Sequence, residues 1–200
     1  MNNILIKVEN LVKTFGGLVA LNDCSLEIKD KAITGIIGPN GSGKTTLFNV
    51  ITGNLKPDTG KVFYNGVEIT NEESHDLFHL GVLRTFQIAH EFSNMTVIEN
   101  LMVVPGNQKG EKLLYSLMNS QKIKKEDELI KDKAMEVLKF LKIEHLKNER
   151  AGNLSGGQKK LLELARTMMV DAKIVFLDEV GAGVNKTLLR DISDSILKLN

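Results

Sequence analysis

Cys24 is the only cysteine in the chain, so no internal disulfide and no thiolate zinc cluster can form. A reducing cytoplasm is the compartment such a sequence suits. Long apolar runs are missing too. No stretch approaches the roughly 20 residues needed to span a bilayer, so service to a membrane process is expected from the water side, through a partner. Met1 to Asn10 mixes Asn, Lys and Glu among its apolar residues and lacks the uninterrupted core of a signal peptide. Charge of one sign is also scarce, with a formal net charge of +1 at pH 7. Bulk electrostatics therefore steer the chain toward neither DNA nor an anionic membrane, and no nucleic-acid partner is expected. What remains is ordinary for a globular protein: 200 residues, 42% hydrophobic and 26% charged, enough for one domain or a domain with a subdomain.

Periodicity orders the rest. Residues 4 to 9 read as a strand, and Leu18 to Ile28 as another, broken at Asn22-Asp23. Asn65-Gly66, inside the β-prone run Lys61 to Ile69, predicts a tight hairpin turn. The N-terminal third is thus expected to be a partly antiparallel sheet. Ala32 to Ile37 reads as a short apolar strand ending at Gly38, and the segment from Thr45 to Thr52 as a helix stopped by Gly53. From Glu72 to Arg150 the pattern is mostly helical, with Val137, Leu138 and Leu141 on one face and Lys and Glu on the other. Ile174 to Leu177 predicts a second buried strand, and Thr187 to Leu199 a final amphipathic helix. The expected architecture is α/β: one domain over residues 1–200, containing a mainly helical subdomain at 72–153.

Three groups of residues carry chemistry. Gly38-Pro39-Asn40-Gly41-Ser42-Gly43-Lys44-Thr45 fits the phosphate-loop pattern G-x-x-x-x-G-K-[ST]. Its glycines let the backbone curl so that successive N–H groups converge on phosphates. Lys44 would neutralise the β- and γ-phosphates of a nucleotide, the Thr45 hydroxyl would ligate Mg²⁺, and Thr46 completes the nucleotide-binding set. The positive end of the following helix adds to the site. Asp178 and Glu179 follow the apolar Ile174-Val175-Phe176-Leu177, the place where open α/β sheets present ligand-binding groups. Asp178 would hold the Mg²⁺ shell through water, and Glu179 would orient and polarise the attacking water.

The third group is Leu154-Ser155-Gly156-Gly157-Gln158. Ser155 is a good N-cap, and Leu161, Leu162, Ala165, Met168 and Met169 mark the buried face of the helix it opens. Glycine in a helix costs about 1 kcal/mol relative to alanine, and packing supplies no reason for two of them here. Close approach of backbone N–H groups and the Ser155 hydroxyl to a γ-phosphate does. With the helical segment separating it from Lys44, the motif implies a second subunit.

Together these motifs resemble the ATP-binding cassette (ABC) ATPases over nearly the whole chain, which implies a P-loop NTPase fold with a mixed central sheet, an N-terminal antiparallel β subdomain and an inserted helical subdomain. By that resemblance Phe15 stacks on adenine. Gln87, in Arg84-Thr85-Phe86-Gln87, acts as the loop residue that senses Mg²⁺ and γ-phosphate and links to the membrane domain. Ala182-Gly183-Val184-Asn185 matches the loop that crosses the dimer interface. Those two segments, with Phe15-Gly16-Gly17-Leu18-Val19-Ala20-Leu21 and Met95-Thr96-Val97-Ile98-Glu99-Asn100-Leu101, look like the ATPase subunits of branched-chain amino-acid importers. The implied partners are a second ATPase subunit, identical or not, transmembrane permease subunits and, indirectly, a substrate-binding protein. The implied place is the cytoplasmic face of the plasma membrane.

The family pattern continues to a switch histidine on a further strand. His75, His79, His90 and His145 all precede the signature motif, so none is that residue by order. Val180 replaces the usual proline after the catalytic glutamate, and Lys186 replaces another. On this reading the sequence is a fragment of an importer ATPase. The rival is a regulatory or vestigial cassette with little turnover. Repair and translation cassettes, which carry coiled coils, zinc sites or paired cassettes, fit a compact single-cysteine chain poorly.

Overall fold

The computed structural model describes residues 3–85, 91–106, 108, 120–178 and 186–199. Contacts divide the chain into two compact units, one ending at Arg84 and the other running from Thr85 to Leu199.

The first unit is built on a long antiparallel hairpin, β1 (Ile4–Phe15) and β2 (Leu18–Lys29). β3 (Thr59–Tyr64) and β4 (Val67–Glu68) extend it to a sheet ordered β2-β1-β3-β4. Alternation buries Ile6, Val8 and Leu11 of β1 with Val62 and Tyr64 of β3. The Asn65-Gly66 turn is present, with both residues at positive φ (48° and 78°), as a two-residue hairpin connection requires. The break expected at Asn22-Asp23 is instead a bulge inside a continuous strand. Asp23 (φ 52°) faces Asn10 (φ 50°) across the register slip, and the Asn10 side-chain amide donates to Asp23 Oδ1 at 2.6 Å. A side-chain bond thus carries the strand past residues that favour turns. The helix α1 (Lys44–Ile51) buries Leu47, Val50 and Ile51. α2 (Ser74–His79) and the short strand β5 (Val82–Arg84) complete the unit.

The run 32–37 departs from expectation, because it carries no strand in the structure. Ile33 is 53% exposed and Ile37 97% exposed. Apolar composition makes a segment able to fill a sheet, but a strand exists only when a neighbour completes its hydrogen-bond ladder. Among the described residues, none does so.

The second unit is helical around one apolar cluster. It contains α3 (Val97–Met102), α4 (Ser120–Phe140), 3-10 turns at Glu144–Leu146 and Ala151–Asn153, α5 (Gly156–Met168), the short strand β6 (Ile174–Phe176) and α6 (Lys186–Leu199). Val97, Leu101, Val137, Leu138, Leu141, Leu161, Leu162, Ala165 and Ile192 share the core, those of α4 and α5 on the faces expected from the sequence. Thr96 and Glu99 form a capping box at the start of α3. Asn100, fully buried on that helix, is satisfied by the loop before it. Its Oδ1 accepts from the Phe92 N–H at 2.8 Å, and its amide donates to the carbonyls of Phe92 and Thr96 at 3.1 and 2.9 Å. One buried amide therefore shapes the segment that leads into α3.

Candidate functional site: a phosphate loop and a glycine-opened helix

In the first unit, the loop from Gly38 runs into α1 with Gly43 as its N-cap at φ 86° and Gly41 at φ 81°. Both values lie in the left-handed region that glycine adopts without strain. Gly43 is constrained twice, since a Cβ there would stand 2.3 Å from the Ala20 carbonyl oxygen. The loop is thereby seated against β2. No side chain caps α1 and no acid lies in its first turn, so its leading N–H groups remain open to an anion. Lys44 folds back across the loop, its ammonium donating to the carbonyls of Gly38 and Pro39, each at 2.8 Å. Those are neutral acceptors, which phosphate oxygens can replace with stronger charge-assisted bonds. A glycine loop at positive φ, an uncapped helix start and a pre-placed ammonium fit a nucleotide's phosphates, and Thr45 lies in the first turn of α1.

Phe15 belongs to the same unit. It ends β1 at the hairpin tip and is 48% exposed, an open aromatic face. Lys13 Nζ lies 5.8 Å from its ring centroid. Asp58 grips the preceding residues: one carboxylate oxygen takes the Lys13 ammonium, and the other takes both the Thr14 N–H and the Thr14 hydroxyl, all at 2.7 Å. The Lys13 and Thr14 hydrogen bonds hold the Asp58 carboxyl down from 3.8 to about 2. A depressed carboxyl contributes stability that is complete above its unfolded value and is lost as pH falls through the folded one. The melting difference between the wild-type chain and Asp58→Asn is therefore expected to stay constant from about pH 8 to about pH 5 and to close between about pH 4 and about pH 2. Thermal melts followed by circular dichroism across that range check it.

In the second unit, Asp178 is 6% exposed, just past β6. Its backbone N–H donates to Thr85 Oγ1 at 3.3 Å, and the Thr85 N–H donates to the Phe176 carbonyl at 2.9 Å. Thr85, an ordinary polar residue by sequence, is thus tied at both its N–H and its hydroxyl to the end of β6. Gln87, Glu179 and Ala182-Gly183-Val184-Asn185 themselves lie outside the described residues.

The glycine-rich signature opens α5 as expected. Ser155 is the N-cap in a reciprocal capping box: the Gln158 N–H donates to Ser155 Oγ at 3.4 Å, and the Ser155 N–H donates to Gln158 Oε1 at 2.9 Å. A Cβ on Gly156 would meet nothing within 4 Å. Packing among the described residues gives no reason for glycine there, whereas a ligand pressed to the backbone would. Behind the motif, Lys159 Nζ reaches Glu91 at 2.6 Å. Burial would raise the Glu91 carboxyl, but its bonds to Lys159, to backbone and to Ser93 outweigh that and hold it below the usual range. The Arg166 guanidinium stands 5.3 Å from the Phe92 ring centroid, and burial pushes its pKa down. The Gly152 N–H donates to the Ser93 carbonyl at 3.0 Å. Residues 91–93 are therefore fastened to the signature helix and the turn before it.

Comparison with known proteins decides the family. The model of the ABC transporter family matches residues 21–182. The chain belongs to the ABC transporter family. As an ABC ATPase it is similar to the probable branched-chain amino acid transport ATP-binding protein LivG of Archaeoglobus fulgidus, 46% identical over 98% of this chain and 75% of that protein. LivG of Escherichia coli is 35% identical over 100% of this chain and 78% of its own length. Among solved structures, a nucleotide-free ATP-binding cassette from an ABC transporter is 44% identical, with a TM-score of 0.81 over 98% of this chain and 77% of that one. The ADP conformation of such a cassette matches with a TM-score of 0.80 at 44% identity, over 98% and 76% of the two chains. The ABC ATPase fold is thus established for this cassette, with its antiparallel β unit at the N-terminus. No described helix is long and apolar enough to cross a membrane.

Proposed function

We propose that this cassette is the ATP-hydrolysing subunit of an importer for branched-chain amino acids, working at the cytoplasmic face of the membrane on permease subunits fed by a substrate-binding protein. The observation that carries the nucleotide reading is the phosphate loop, with Lys44 already inside it and the start of α1 uncapped. The names of the relatives support the amino-acid assignment.

In this reading Phe15 stacks on adenine, and the backbone of Gly38, Pro39, Asn40, Gly41, Ser42 and Gly43, with Lys44, Thr45 and Thr46, cradles the phosphates. Thr45 and Gln87 would hold Mg²⁺ directly and Asp178 through water. When bound, that ion neutralises charge across the β- and γ-phosphate oxygens. Glu179 orients the attacking water and accepts its proton. Ser155, Gly156, Gly157 and Gln158 of one subunit close on the γ-phosphate held by the other, so ATP draws two subunits together and hydrolysis releases them. Gln87 passes the change to the permease. Of the span 72–153 expected as the helical subdomain, residues 85–153 lie in the second unit and would meet that partner.

Reconstitution with the permease and binding protein in vesicles tests this. Leucine uptake is expected to require ATP on the cassette side, and Glu179→Gln is expected to bind ATP, remain dimeric and stop uptake. Uptake that survives Glu179→Gln, or that is equally fast without ATP, refutes the assignment.

A further inference from the structure

Phe15 presents its ring from the end of a β-hairpin that buries little at its tip. The tip turns through Gly16-Gly17, with Gly16 at φ 58°, and its neighbours Leu18 and Val19 are 66% and 54% exposed. With Phe15 itself 48% exposed, apolar packing covers the ring only in part. Asp58 supplies what packing does not. The register pairs Thr59 with Val12, the Asp58 N–H donates to the Val12 carbonyl at 2.9 Å, and a Cβ on Gly60 would stand 2.4 Å from the Asn10 carbonyl oxygen. The start of β3 is thus pressed against β1, and the Asp58 carboxylate is delivered from a fixed scaffold. It then makes three bonds to the two residues immediately before Phe15, 44 and 45 residues away in sequence. The Lys13 ammonium that lies against the ring is held by the same carboxylate.

We propose that Asp58 is a positioning residue for adenine recognition, gripping Thr14 and Lys13 so that the Phe15 ring is pre-set to stack on the base. This rests on the reading that adenine stacks on Phe15. A ring ordered in advance loses less freedom on binding, so the clamp acts on affinity for the base and leaves the phosphate site and the chemical step alone. It favours nucleotides over base-free polyphosphates.

Calorimetric titration of the full chain with ATP and, separately, with inorganic tripolyphosphate tests this, both with Mg²⁺. Asp58→Ala is expected to weaken ATP binding about fivefold and leave tripolyphosphate within about twofold. Phe15→Ala is expected to weaken ATP about tenfold or more by removing the stack. Adding Asp58→Ala to Phe15→Ala should then cost nothing further, since the ring it positions is gone. Asp58→Asn, which keeps an acceptor for Thr14 but loses the charge that holds Lys13, should fall between wild type and Asp58→Ala. In turnover, KM for ATP should rise with kcat unchanged. Equal losses for ATP and tripolyphosphate in both Asp58 variants would overturn the proposal in favour of general damage to the unit. A normal ATP affinity in Asp58→Ala, with Phe15→Ala weakened, would remove Asp58 alone. An unchanged ATP affinity in Phe15→Ala would remove the base-stacking reading itself.

Discussion

Replacing Lys44 with alanine is expected to lower Mg²⁺-dependent ATP turnover by about a hundredfold or more, the scale seen when one pre-placed electrostatic contact to a reacting group is removed. Two effects combine. The substitution deletes the positive charge that would stand against the β- and γ-phosphates, and it deletes the bonds that hold the Gly38 and Pro39 carbonyls inward. Those carbonyls would then face the phosphates without the cation between them. Lys44→Arg separates the two effects, because it keeps the charge but its planar fork does not fit a site shaped for a compact ammonium. It should recover only part of the loss. A phosphate-release assay at saturating ATP checks both variants, and turnover of Lys44→Ala within a few-fold of wild type would rule out this loop as the site.

Gly156→Asp is expected to leave folding stability nearly unchanged and to reduce turnover by a comparable factor of about a hundred. A Cβ at Gly156 meets nothing within 4 Å, so the side chain enters open space. An acid in the first turn is favourable to the helix dipole, by about 0.3–1 kcal/mol, and leaving glycine removes a helix penalty of about 1 kcal/mol. The chain alone should therefore tolerate the change or gain slightly. Where a partner's γ-phosphate is to be met, the same carboxylate places negative charge against negative charge and blocks the close approach. Thermal melts and ATPase assays on one preparation read both quantities. An active Gly156→Asp protein would remove the ATP-sandwich role of the signature. An unstable one would mean that glycine is there for packing.

Much of the site was legible because its information is local. The phosphate loop announced itself by glycines at the spacing a curled backbone needs, and Gly41 and Gly43 do take positive φ. The signature announced a cap, and Ser155 with Gln158 forms one. Other features could not be read this way. Ala32 to Ile37 had the composition of a strand, yet no described partner pairs with it. Asn22-Asp23 looked like a break, but Asn10 stands opposite Asp23 and carries the strand through. Asp58 and Thr85 looked like ordinary polar residues, because what distinguishes them lies 44 residues away at Thr14 and 93 residues away at Asp178.

By itself, the sequence determined which loop takes positive φ at its glycines and which helix opens on a Ser cap, since both depend on φ preferences and side-chain caps acting within a few residues. Only the tertiary structure decided which distant groups meet. The Asp58 carboxylate closes on Thr14, Thr85 fastens Asp178, Asn100 gathers the loop before its own helix, and Lys159 reaches a half-buried Glu91. Local preference is set by bonded geometry and short-range sterics. A long-range hydrogen bond depends on where folding brings each donor and acceptor, and neither partner's own neighbourhood in the sequence records that place.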